Sequence, residues 1–522
     1  MAGFDSAIPQ THLTEMLAAV RDAIGAEAVL ADDDALAEYR DPFSVLADDP
    51  HVASAVVRPG SVDEVRAVVR LANRYRCPLW PISRGKNLAY GGSAPRMTGT
   101  VILDLQRMNR IIEVNEKFGY ALVEPGVSYF DLHRHLVETG SDLWVDVPDL
   151  GWGSVVGNTV ERGNGYTPYG DHFMVQCGME VVLPNGDLVR TGMGAMSNSN
   201  AWQLSKFSYG PYHDGLFTQS NFGVVTKLGI WLMPRPPGFR PYMISFERDE
   251  DLHDIVERVR PLRINQVIQN VASIRSLLLE AAVTAPRSRY LAGDELLSPE
   301  VERHIMADQD IGMWNLYGAQ YGPQVVMDAY WSEIREAFGS IPGAKFYFAQ
   351  DRPPDSVLTH RAERMSGVPG LADLKLLDWF PNGGHINFSP IAPAAGEDAM
   401  KQVEMVRRRC HEYGQDYLGD IIVGMRELHH IVMLVFDTKA EKQKRLTHEL
   451  CRTLVSDAAE AGYGEYRTHL CLMDQIAHTY DFNDGAIMRL NEVLKDALDP
   501  NGIIAPGKQG IWPSHLRDRK FE

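Results

Sequence analysis

Cysteine is scarce in this chain: 5 residues in 522, at Cys77, Cys177, Cys410, Cys451 and Cys471. The number is odd and no two form a CxxC pair. That argues against a disulfide scaffold or a thiol–metal ribbon, and for free thiols in a reducing compartment. Long apolar runs are missing too. No stretch approaches the roughly 20 residues that cross a bilayer, so no membrane partner is expected. No basic segment leading into an apolar one opens the chain, so no signal peptide is expected and the cytoplasm is the default location. Basic residues are in deficit, 51 Lys and Arg against 69 Asp and Glu, for a net charge of −18. A chain of that sign repels nucleic-acid phosphates. The one dense basic spot, Arg407-Arg408-Arg409, falls in a helical pattern over 398–415 and reads as a solvated face. Repeats at solenoid spacing and low-complexity tracts are also absent.

What remains is an ordinary soluble composition, 45% hydrophobic and 23% charged, in a chain too long for one core. Its most informative residue is glycine. Residues 148–172, PDLGWGSVVGNTVERGNGYTPYGDH, hold 6 glycines in 25 positions. Glycine costs backbone entropy and is kept in such number where the backbone approaches something closely or turns with φ > 0. A second such loop, PISRGKNLAYGG at 81–92, follows an apolar strand. Two loops of bare backbone N–H groups can cradle a large anionic cofactor such as a dinucleotide. A Rossmann fold fits poorly, because it wants GxGxxG between a buried strand and a helix. Here Gly151 and Gly153 give GxG, but Gly157 comes one place late and DVPDL before them is a weak buried strand.

Residues 53–83 read as a compact α/β unit. A strand over 53–57 leads to a helix with Ser61 as N-cap and Glu64 closing a capping box. Apolar Val65, Val68, Val69 and Ala72 follow at helical spacing, then a strand over 78–82. Further strands are expected over 101–105, 120–123, 179–183 with an Asn185-Gly186 turn, and 223–232. The segment MPRPPG at 233–238 has the composition of a stiff linker. Beyond it, strands over 242–246, 345–349 and 431–436, a helix from Asp251 and a long helix over 439–461 read as a second unit on an antiparallel sheet. The turn-rich tail over 498–508 returns to the first unit. The expected class is α+β in two domains.

These segments resemble the vanillyl-alcohol oxidase flavoproteins of the p-cresol methylhydroxylase (PCMH) type, on the branch of the eugenol and 4-alkylphenol oxidases. The resemblance spans YRDP (39–42) to Gly507-Lys508 and is carried by GKNLAYGG (85–92), the 148–172 run, TQSNFGVV (218–225), PNGGHINFSP (381–390) and GYGEYRTH (462–469). It implies a PCMH-type FAD-binding domain at 1–237, an antiparallel-sheet cap (substrate) domain at 238–461, and a segment 462–522 returning to the FAD domain and the active site. The implied activity is oxidation of para-substituted phenols, such as 4-ethylphenol, 4-propylguaiacol, eugenol or vanillyl alcohol. Hydride passes from the benzylic carbon to flavin N5 through a p-quinone methide, and dioxygen becomes hydrogen peroxide. A dehydrogenase of the same chemistry serving a cytochrome, and a catalytically silent flavin-binding protein, stay open. A homodimer or larger assembly is implied.

Carried over residue by residue, the resemblance makes His385 the site of an 8α-histidyl bond to FAD. Taken alone, it reads as a buried structural histidine. Tyr90, Tyr466 and Arg467 match a phenol-binding trio, whose two hydroxyls and fixed guanidinium would favour phenolate; each tyrosine alone reads as a core aromatic. Asp149 matches an aspartate near flavin N5, or opens the loop as an Asx turn. Asp420 matches a pocket position, where it activates water against the quinone methide or sets side-chain preference; otherwise it is an exposed acid before an apolar strand. Expected cofactor contacts in the first loop are Ser83, Arg84, Gly85, Lys86 and Asn87. The second loop adds Pro148, Gly151, Ser154, Gly157, Asn158, Gly165, Tyr169 and Gly170. Asn221, Gly223, Val225 and Lys508 complete the set. No metal is expected, since the adjacent His429 and His430 point to opposite faces of a strand.

Overall fold

The computed structural model describes residues 9–293 and 295–518. The opening residues weighed for a leader, and the outer ends of the spans 1–237 and 462–522, lie outside the described residues. The fold is α+β. Strands Ala55–Val57, Val101–Asp104 and Leu79–Ile82 run parallel, with Val29–Leu30 antiparallel at one edge. Parallel strands need apolar cover, hence their near-continuous apolar runs. Helix Val62–Tyr75 supplies Val65, Val68, Val69 and Ala72, packed with Leu13, Met16, Leu17 and Val20 of helix Gln10–Ile24.

Ser61 caps the first of these helices, its Oγ accepting from the Glu64 amide at 3.2 Å. The capping box itself is displaced. The Glu64 carboxylate accepts from the Gly60 amide at 2.7 Å, because the turn after Pro59 aims that N–H, not that of Ser61, at the helix. From the far end of the chain, Ile503, Ile504 and Ala505 join the same core. The Leu79 amide donates to Ile503 O at 2.6 Å and the Ala505 amide to Leu79 O at 2.7 Å.

Strands Ile111–Asn115, Tyr120–Val123, Val224–Trp231, Gln176–Val182 and Leu188–Arg190 form an antiparallel sheet in that order. The linker is shorter than its composition implies. Met233–Pro234 pairs with Leu143–Trp144, and strand Phe239–Phe246 begins directly after Gly238.

The largest sheet is antiparallel throughout. It runs Lys345–Phe348, Phe239–Phe246, Trp314–Tyr321, Ala272–Ser276, Gly419–Val423, Glu427–Asp437 and Gly383–Phe388, with Ile391–Pro393 also paired to Glu427–Asp437. Strand alternation separates two chemistries on it. Ile274, Ile386, Phe388, Ile421, Val423, Val432 and Leu434 join the core built with helices Asp251–Ile264, Gly396–Glu412 and Glu441–Glu460. Arg275, His385, Asn387, Asp420, Ile422, Ile431 and Met433 alternate with them and line a cavity. Register sets Arg275 directly across from Asp420, and Asp420 across from Ile431.

The Arg407–Arg409 run is not a merely solvated face. Arg407 donates twice to Asp249, at 2.6 and 2.8 Å, and Arg409 twice to Asp457, at 2.6 and 3.1 Å, which ties the helix to its neighbours. Among the described residues no helix is long and apolar enough to cross a membrane.

Candidate active site

Strand Leu79–Ile82 delivers Ser83, Arg84, Gly85, Lys86 and Asn87 to a cavity of about 1430 Å³. Ser154, Gly157 and Asn158 enter from the second glycine-rich segment, Gly223 and Val225 from the strand behind it, and Lys508 from the tail. The two loops touch. A Cβ on Gly157 would sit 2.3 Å from Ser83 Oγ, so any larger residue forces them apart. Gly165 serves a different end, since its Cβ would fall 1.5 Å from Asp146 Oδ2. Asp146 accepts from the Thr167 amide and bonds the His172 ring, both at 2.6 Å, which pins the loop.

Five expected cofactor contacts line neither cavity described here. Gly151 lies against Phe130 and Pro369, while the Gly165 amide donates to Gly170 O inside a turn. Tyr169 packs against the cluster of Met233 and Tyr321. Asn221 ties down the tail, its Nδ2 donating to Ala505 O at 3.0 Å and Ile511 O at 2.9 Å. Gly151, Gly165, Tyr169, Gly170 and Asn221 shape the walls instead of facing the space.

A second cavity, of about 1210 Å³, opens beneath the large sheet. Lys86, Asn87, Tyr90, Gly153, Asn158 and Arg467 line both, so the two form one branched space. One arm of this space follows the two glycine-rich loops and the other runs beneath the large sheet. Tyr90, Asp149, Asp420, Tyr466 and Arg467 all meet in the second arm, together with Pro148 and His385.

One wall carries a cation, Arg467. The Arg467 guanidinium stacks 4.2 Å above the Tyr90 ring, and its Nε is buried without a partner. Among the described residues no carboxylate forms an ion pair with it. Tyr466 meets the His429 ring edge-on at 4.8 Å, and its carbonyl accepts from Gln219 Nε2 at 2.8 Å. Burial pushes the Tyr466 hydroxyl's pKa up, so it remains a donor. His385 is held neutral, burial pushing its pKa down to about 4, and its Nδ1 bonds Asn387 Oδ1 at 2.9 Å.

The facing wall is a charge cluster with members that sequence reasoning missed: Arg275, Arg361, Asp373, Glu280 and Tyr166. Arg275 lies 3.2 Å from Asp420, 3.5 Å from Asp149 and Asp373, and 3.6 Å from Glu280. Arg361 pairs with Asp373 at 2.6 Å, and the Tyr166 hydroxyl donates to Asp149 at 2.7 Å. Burial, then Asp373, raises the Asp149 pKa against the pull of Arg275 and Arg361. Burial likewise raises Asp420, against Arg275 and a 2.7 Å bond donated by Ser273 Oγ. Burial opposes charge on Asp373 too, but Arg361 and Arg275 outweigh it and the carboxyl titrates low. Asp420 is no exposed acid before a strand; it lies within Gly419–Val423 at 1% exposure.

Glu465, beside the Tyr466-Arg467 pair, accepts from the Ser389 amide at 2.7 Å, and burial pushes its carboxyl up to about 8 from an ordinary 4.5. The folded state therefore keeps a proton that the unfolded state has lost. This contribution is complete below pH 4.5 and fades as pH rises toward 8. Glu465→Gln is expected to raise stability at pH 8 by roughly 3 kcal/mol and to change it little near pH 4.5. Denaturant midpoints at the two pH values measure the difference, and an equal effect at both would refute it.

Residues 53–192 match the FAD binding domain family, and residues 268–509 the C-terminal domain of FAD linked oxidases. The chain is 37% identical over 508 residues to the flavoprotein subunit of 4-cresol dehydrogenase [hydroxylating] from Pseudomonas putida, covering 97% of this chain and 96% of that one. The chain belongs to the PCMH-type FAD-linked oxidases. A 1'-carboxy-chondrochloren decarboxylase from Chondromyces crocatus is also 37% identical over 550 residues, covering 96% of this chain and 98% of the relative. The fold superposes on 4-ethylphenol oxidase from Gulosibacter chungangensis, in its isoeugenol complex, with TM-score 0.96, 43% identity and 98% and 99% of the two chains covered. On p-cresol methylhydroxylase with substrate bound the values are 0.95, 37%, 97% and 98%. As a PCMH-type flavoprotein the chain is an FAD-dependent oxidoreductase. Its residues fit the cofactor: two glycine loops leave a gap a Cβ would close, and the neutral His385 imidazole and the Arg467 guanidinium face the same space.

Proposed function

We propose that this enzyme oxidises para-substituted phenols at the benzylic carbon, with 4-alkylphenols such as 4-ethylphenol or 4-propylguaiacol, eugenol and vanillyl alcohol as the substrate class. The observation that carries the reading is Arg467, a half-buried guanidinium with no carboxylate of the described residues within ion-pair distance, stacked on Tyr90 beside Tyr466. Such a cation demands an anion, and a phenolate held also by two hydroxyl donors answers it. When bound, FAD supplies the acceptor for the benzylic hydride and passes the electrons to dioxygen. Around it the chain's own groups orient and ionise the phenol. Asp149, its pKa raised by burial, holds or releases a proton at the facing wall. Asp420 takes a proton from water adding to the p-quinone methide.

The reading divides the chain into an FAD domain at 1–237 joined by 462–522 and a cap at 238–461. Five free cysteines support a reducing, cytoplasmic setting. Exposed Ile487, Leu490 and Val493 along one helix support assembly into a homodimer or larger oligomer.

His385 carries the covalent bond to FAD in this reading. Acid-unfolded wild type is expected to keep its flavin mass and yellow colour, and His385→Ala to lose both. Flavin that leaves the wild type in acid would sink the tether. The likeness to 4-cresol dehydrogenase favours a second reading, in which a cytochrome takes the electrons. Peroxide yield in air across a short panel of 4-substituted phenols, set against rates with an artificial acceptor, separates the two.

A further inference from the structure

We propose that Asn387 is a positioning residue that couples the flavin tether to the phenol site: its amide sets the tautomer of His385 and the hydroxyl direction of Tyr90. The inference rests on the tether and phenol reading above. In strand Gly383–Phe388, Ile386 and Phe388 turn to the apolar core, so His385 and Asn387 share the cavity face. They sit across from Val435 and Met433 of the neighbouring strand, which fixes their spacing. His385 Nδ1 lies 2.9 Å from Asn387 Oδ1, and Asn387 Nδ2 donates to the Tyr90 hydroxyl at 3.1 Å.

Each bond leaves one outcome. An amide oxygen only accepts, so Nδ1 carries the ring proton and Nε2 keeps its lone pair. Among the described residues Nε2 has no hydrogen-bond partner, while the ring lines the cavity. The lone pair of Nε2 forms the new bond to the 8α carbon. That carbon gives up one proton and two electrons; these reduce dioxygen to hydrogen peroxide, the second proton coming from solvent, while Nδ1–H stays on the ring with Asn387 Oδ1 as its acceptor. At the other end, Tyr90 accepts from Asn387. Its own proton therefore stays available for the oxygen of a bound phenol, with Arg467 stacked on the ring face to hold it.

Two substitutions separate the roles. Asn387→Asp keeps an acceptor for Nδ1–H but also takes the Tyr90 proton. Asn387→Leu removes both bonds at similar volume. Apoprotein incubated with FAD, denatured in acid and weighed by mass spectrometry reports tethering; titration with unsubstituted phenol, followed in the flavin spectrum, reports the phenol site. Asn387→Asp is expected to tether at nearly the wild-type rate and to bind phenol about tenfold more weakly. Asn387→Leu is expected to fall about tenfold in both. Wild-type tethering and wild-type phenol affinity in Asn387→Asp and Asn387→Leu alike would overturn the proposal. So would loss of tethering in Asn387→Asp alongside full phenol affinity. Should the wild type carry dissociable FAD, the tether reading fails by itself, and unchanged phenol binding by Asn387→Asp would then overturn the remaining half.

Discussion

Arg467→Ala is expected to lower kcat/KM for 4-ethylphenol by about 10²–10³-fold, the cost of removing one preorganised donor from a developing anion. A free phenol has a pKa near 10, so only about one molecule in a thousand is ionised at pH 7. Hydride loss from the benzylic carbon needs the electron release of the phenolate, and the cavity must supply the missing ionisation. Arg467 is placed to do so because no carboxylate of the described residues lies within ion-pair distance of it, whereas Arg275 and Arg361 across the cavity have carboxylates at 2.6–3.5 Å. Without Arg467, turnover should climb with pH toward 10 as solvent takes over the ionisation, while the wild type responds less. Arg467→Lys should recover only part of the loss, since an ammonium keeps the charge but neither the planar fork nor the stack at 4.2 Å on Tyr90. Undiminished turnover, with FAD content intact, would remove the phenolate from the reading.

The sequence disclosed the glycine loops and the site's polar residues far better than the sheet that carries them. Loops advertise themselves by composition: Gly157 and Gly165 are there because a Cβ would strike Ser83 or Asp146. Strand Tyr120–Val123 was legible from its continuous apolar run, and the helix capped by Ser61 from capping and helical spacing. The strands Ala272–Ser276 and Trp314–Tyr321 were not, and Gly419–Val423 showed only as the apolar run after Asp420. ASIRS reads like a surface strand because its polar residues alternate outward, but here outward means into a cavity. WNLYGAQY is buried along its whole length yet carries polar and glycine residues that break any pattern. Arg275 and Asp420 stand far apart in sequence and meet only through strand register. No local signal pairs them, which is why Asp420 could be suspected and its counter-ion could not.

That counter-ion decides the second large effect. Arg275→Met is expected to destabilise the fold by about 3–5 kcal/mol, the range for stripping one partner from a buried ion pair. The side chain is 2% exposed and lies within 3.6 Å of four carboxylates, so its loss leaves negative charge facing negative charge in low dielectric. Asp149 and Asp420, whose pKa values burial already raises, then rise further. A raised folded-state pKa means stability that is whole below the unfolded pKa and lost as pH climbs through the folded one. The deficit of the variant should therefore be largest at pH 8 and shrink toward pH 5, as read from urea midpoints. Adding Asp420→Asn to Arg275→Met removes a charge left without its partner and should restore part of the loss, with a coupling of about 0.5–3 kcal/mol between the two sites. A deficit that stays constant with pH, or a double variant no more stable than Arg275→Met alone, would mean that Arg275 holds the sheet by packing and not by charge.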